Sequence, residues 1–80
     1  MDYRGYSRRI IEANAEATKD SLGVRLGQYC ISRDISVSEM AGYFEVSKMT
    51  IYKWFTGKSE PRKLHQDKIT KMLISGGDLV

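Results

Sequence analysis

Two helix-start signals stand eleven residues apart in the middle of this chain and leave room between them for one short helix and a tight turn. The first, Ser36-Val37-Ser38-Glu39, has the form of a capping box, in which the serine hydroxyl and the glutamate carboxylate each satisfy a free backbone N–H. The second is Ser47, an N-cap residue ahead of Lys48-Met49-Thr50-Ile51-Tyr52-Lys53-Trp54-Phe55. The spacing predicts one helix over Val37 to Phe44, with Met40, Ala41 and Phe44 inward. It predicts a second over Ser47 to Phe55, with Ile51, Trp54 and Phe55 inward and Lys48, Met49, Tyr52 and Lys53 outward. Two short helices crossing at a tight turn need a small side chain at the crossing, and Ala41 supplies one.

The flanks extend the pattern. Ser7 to Lys19 is rich in helix formers, with Ser7 as N-cap and Ile10, Ala13 and Ala17 along one side. A helix from Asp20-Ser21 to about Arg33-Asp34 places Leu22, Leu26, Tyr29 and Cys30 on one face. Gly57 suits a left-handed C-terminal cap, and Pro61 can open a last helix whose stripe is Leu64, Ile69, Met72 and Leu73, stopped by Gly76-Gly77. No strand pattern is evident. The expectation is an all-α, compact five-helix bundle, with residues 1–20 an N-terminal extension, 21–75 the folded domain and 76–80 a short tail.

Eighty residues bury only a modest core, which argues against an elaborate active-site cavity. A nucleophile motif, a phosphate-cradling glycine loop and a metal cluster are all missing, so neither an enzyme, a cofactor nor a small-molecule substrate is expected. His65 lacks a second histidine and is expected on the surface or a helix flank, and Cys30 is expected to be a buried small apolar residue. Trp54 and Phe55 fit core better than stacking platforms for single-stranded nucleic acid. No apolar run approaches a membrane span, and Met1 to Tyr6 holds no signal-peptide core, so a cytoplasmic location is expected.

Charge is uneven. Up to Ser47 six basic residues face seven acidic ones, whereas from Lys48 onward seven basic residues face only Glu60, Asp67 and Asp78. The positive field on the C-terminal half suits phosphates.

From Leu22 to Leu73 the sequence resembles the Cro/repressor-like (Xre-type) helix-turn-helix domain of phage and bacterial regulators. The resemblance rests on Leu22-Gly23-Val24-Arg25-Leu26, Ile35-Ser36, Met40-Ala41, the run Val46 to Trp54, and Gly57-Lys58 with Pro61. It implies a lambda-repressor-like DNA-binding fold and sequence-specific binding of double-stranded DNA in the major groove, most simply as a repressor-like transcriptional regulator. Lys48, Met49, Tyr52 and Lys53 would contact bases, and Ser47, Thr50, Lys58, Arg62 and Lys63 the phosphates. Glu45 stands where the family often has glycine at positive φ, and Val37 where it often has a phosphate-contacting glutamine. Related regulators usually pair on two-fold operators, so a homodimer is expected.

Other uses of such a fold are a DNA-recognition module of phage packaging or replication machinery, and an antitoxin-like or adaptor protein that binds protein. A winged excisionase-like or MerR-like module fits less well, because no alternating strand pattern follows Gly57. The segment before Asp20 lies outside the resemblance. It reads either as an extra helix packed on the domain, or as a dimerisation element or basic arm, with Arg4, Arg8 and Arg9 beside Tyr3 and Tyr6.

Overall fold

The computed structural model describes residues 6–18 and 20–78, with side chains through Ser75. Tyr3 and Arg4 of the basic cluster, Lys19 at the expected end of the first helix, and residues 79–80 of the tail lie outside them. Five helices follow in order: α1 (Arg8–Glu16), α2 (Leu22–Ser32), α3 (Val37–Phe44), α4 (Lys48–Phe55) and α5 (Lys63–Asp78). Among the described residues the chain is all-α, and no helix is long and apolar enough to cross a membrane.

Serines start the first four helices. Ser7, Ser21, Ser36 and Ser47 each accept from the backbone N–H three residues on, and Glu39 completes the capping box by accepting from the N–H of Ser36 at 3.0 Å. The ends are equally regular. Asp34, Glu45 and Gly57 have φ of 59°, 58° and 77°. Beyond each, a backbone N–H returns to a carbonyl five residues back: Ile35 to Cys30 at 2.9 Å, Val46 to Ala41 at 3.0 Å and Lys58 to Lys53 at 2.9 Å. These are Schellman closures, which stop a helix and turn the chain sharply within two residues.

The core joins all five helices. Val24, Leu26, Cys30, Phe44, Ile51, Trp54, Phe55 and Ile69 are buried, as is Tyr6 ahead of α1, whose hydroxyl donates to the Ile35 carbonyl at 2.6 Å. Helices α2 and α4 approach so closely that a Cβ on Gly23 would lie 2.8 Å from the Trp54 carbonyl oxygen, and one on Gly27 would lie 2.9 Å from the Phe55 ring. Ala41 is buried in α3.

Four expectations need correction. Helix α1 ends at Glu16 and not at Lys19: Ala17 is extended, and Thr18 Oγ1 accepts from the Asp20 N–H at 3.3 Å, a local bond that competes with helix. Pro61 does not open α5. It is buried two residues ahead of the helix, and its carbonyl accepts from Gln66 Nε2 at 2.8 Å. Gly76 and Gly77 do not stop α5, which continues to Asp78; a glycine lowers helix stability by only about 1 kcal/mol relative to alanine. Finally, Leu64 is 68% exposed, and His65 takes its place in the stripe with Ile69, Met72 and Leu73. Those four positions follow the i, i+4, i+7, i+8 rule, and Leu64 lies about 100° off it.

Candidate nucleic-acid interface

Helix α4 sits on the molecule with one arc buried and one arc in solvent. At about 100° per residue, Lys48, Tyr52, Met49, Lys53 and Thr50 follow one another around the outward arc, opposite Trp54, Ile51 and Phe55. Ile51, Trp54 and Phe55 are all buried, whereas Lys48, Met49 and Lys53 are exposed and Tyr52 and Thr50 are half-buried. A methionine 63% exposed at the centre of such an arc is apolar surface that the fold itself does not use. Lys48, Lys53, Lys58 and Arg62 are all exposed.

The arc has two flanks. On the Tyr52 side a shallow groove of about 150 Å³ runs between α1 and α4, with Met49, Tyr52, Lys53 and Lys58 among its lining. On the Thr50 side a cleft of about 460 Å³ is lined by Glu45, Thr50, Trp54, Glu60, Arg62 and His65 among others. The expected base contacts Met49, Tyr52 and Lys53 therefore share one surface with Lys58, and Lys48 continues it toward the start of α4. Arg62 and Thr50 lie across the helix, beside two carboxylates. Lys63 is exposed at the first turn of α5.

Ser47 and Thr50 are already partly engaged. Ser47 Oγ accepts from the Thr50 N–H at 3.1 Å, and the two hydroxyls lie 3.0 Å apart. One hydroxyl proton is consumed between them, which leaves the other to donate outward. Lys53 lies in the last turn of α4, where the helix dipole favours a cation.

Burial pushes the Cys30 thiol up to about 12, with the Glu39 carboxylate adding to the effect, so at neutral pH it is protonated and shielded. Burial likewise raises the Tyr6 hydroxyl above the ordinary tyrosine range, with Cys30 nearby contributing. Among the described residues no group of three His, Cys, Asp or Glu side chains could hold a metal ion.

Sequence reasoning missed the residues that hold α4 in place from behind. Asn14 is buried and its Nδ2 donates to two carbonyls, Phe55 at 2.7 Å and Val24 at 3.1 Å, fastening α1 to the end of α4. A polar residue between Ile11 and Ala17 on the inward side of α1 was the available signal. The four-residue spacing of Gly23 and Gly27 on one face of α2 was the signal for the close crossing. His65, expected on the surface or a helix flank, is half-buried with its ring 5.7 Å from Phe44 and 5.3 Å from Trp54, and packs as part of the support for α4. No protein-family model, curated protein or solved structure matches the chain.

Proposed function

We propose that this protein binds double-stranded DNA sequence-specifically, with α3 and α4 as a helix-turn-helix and α4 seated in the major groove, in the manner of the Cro/repressor-like regulators its sequence resembles. The observation that carries the reading is the outward arc of α4, where exposed lysines and an exposed methionine stand on a fully packed base. A helix of eight residues is about 12 Å long, a length that fits across a major groove about 12 Å wide. Lysine can donate to guanine O6 and N7, and Met49 and Tyr52 can meet thymine methyls. Ser47, Thr50, Lys58, Arg62 and Lys63 would hold the backbone on either side, which fixes register without reading sequence. A repressor-like transcriptional role and pairing of two copies on a two-fold site belong to the same proposal.

Selection of bound sequences from a random duplex pool tests it, followed by anisotropy titration on the selected duplex. One enriched sequence is expected, with affinity falling on a log–log salt plot at a slope of about −5 if about six phosphates are neutralised. No binding at low salt, or an affinity indifferent to salt, overturns the reading. The alternative is then a protein-binding adaptor, for which the exposed Tyr43, Leu64 and Ile74 supply apolar surface.

A further inference from the structure

The groove on the Tyr52 side of α4 contains a residue from outside the helix-turn-helix. Its lining is Ile10 of α1 together with Met49, Tyr52, Lys53, Thr56 and Lys58. Asn14 explains how Ile10 comes to be there. By donating to the last carbonyl of α4 it fixes α1 alongside that helix, and Ile10, one turn earlier on α1, then shares a groove with residues of the outward arc. Thr56 turns its hydroxyl back onto the Tyr52 carbonyl at 2.8 Å and so presents no free donor there. What remains is a groove with Ile10, Met49 and Tyr52 as its apolar lining, and the exposed Lys53 and Lys58 line it as well.

A small groove that combines apolar side chains with two lysines matches one feature of a polyanion: an uncharged methyl group flanked by phosphates. In the major groove that group is the C5-methyl of a pyrimidine. We infer that Ile10 is a specificity-determining residue, which together with Met49 and Tyr52 forms a pocket for a thymine C5-methyl at one position of the bound site. The inference rests on the DNA reading above and goes beyond it, because it gives α1 a part in sequence choice. Shielding one methyl from water is worth about fourfold in affinity, from roughly 0.8 kcal/mol per buried carbon.

The test uses the duplex selected from the random pool, with each thymine replaced in turn by deoxyuridine, which differs only by the missing methyl. Unmodified protein should lose about fourfold in affinity at one such position. Ile10→Ala should lose much of the discrimination between the thymine and uracil duplexes, and Ile10→Val should keep most of it. A purely structural role for Ile10 would weaken both duplexes alike and leave their ratio unchanged. A cytosine placed at the same position should bind more tightly once it carries a 5-methyl group, which identifies the methyl and not the base as the recognised feature. Because the deoxyuridine series needs no variant, it stands even if Ile10→Ala folds poorly. Full discrimination by a folded Ile10→Ala, or indifference of the unmodified protein to every uracil while it still selects a sequence, overturns this inference and spares the DNA reading. Absence of any duplex binding overturns both.

Discussion

Glu45 is the residue on which the turn between α3 and α4 depends, and its backbone is left-handed at φ 58° and ψ 45°. An L-residue other than glycine adopts that conformation at a cost of about 1–2 kcal/mol. The Schellman bonds around it need the conformation, so the strain is the condition for stopping α3 and aiming α4. Glu45→Gly should therefore leave stability unchanged or raise it by up to about 1 kcal/mol, since relief of strain is opposed by the freedom glycine adds to the unfolded chain. Asp34 adopts the same conformation at the end of α2, but aspartate tolerates it better, so Asp34→Gly should gain less. Thermal melts of the two variants check the order. A clear loss in Glu45→Gly would show that its carboxylate, exposed at the edge of the Thr50-side cleft, makes a contact the protein needs.

At the scale of elements, what matters most is how closely α2 lies against α4. With a Cβ at Gly27 only 2.9 Å from the Phe55 ring and 2.5 Å from Asn14 Nδ2, Gly27→Ala must displace the ring that anchors the end of α4 or the amide that joins it to α1. Overpacking of this kind typically costs about 1–3 kcal/mol. Chemical denaturation should show a loss in that range for Gly27→Ala and almost none for Gly42→Ala, where a Cβ meets nothing within 4 Å. These elements were only partly legible beforehand. Helix starts could be read because a serine side chain caps its own local backbone: the starts of α3 and α4 follow from Ser36, Glu39 and Ser47, and their inward faces from the apolar spacing. What escaped was tertiary. The bond from Asn14 to Phe55 spans 41 positions. His65 differs, because its i, i+4, i+7, i+8 spacing with Ile69, Met72 and Leu73 was legible and only its polar side chain hid its inward place against Phe44 and Trp54. The outward arc of α4 was legible because it is set by local periodicity, whereas the presence of Ile10 at its edge depends on where α1 docks.

Across the whole molecule, cations sit on both sides of α4, yet the two sides differ in their company. Lys53 and Lys58 line a groove with no carboxylate in it, while Arg62 shares its cleft with Glu45 and Glu60, and the Glu60 carboxylate also accepts from Ser21 Oγ at 3.1 Å. On DNA the groups should separate by role. On the proposed reading Lys48 and Lys53 stand on the arc that would enter the groove, so Lys48→Ala or Lys53→Ala should cost about 1–3 kcal/mol on the selected duplex, relax its sequence preference and change binding to a scrambled duplex little. Lys58 follows the helix, where the chain would pass a phosphate, and Lys58→Ala should weaken both duplexes alike and make the salt slope shallower by about one unit. Arg62→Ala should act in the same sense but less, because the two neighbouring carboxylates already offset part of its field. Anisotropy titrations of the four variants on both duplexes at two salt concentrations distinguish these outcomes. If all four weakened both duplexes equally, α4 would lie along the phosphates and not in the groove. A protein that binds DNA would then be reading it with some other surface.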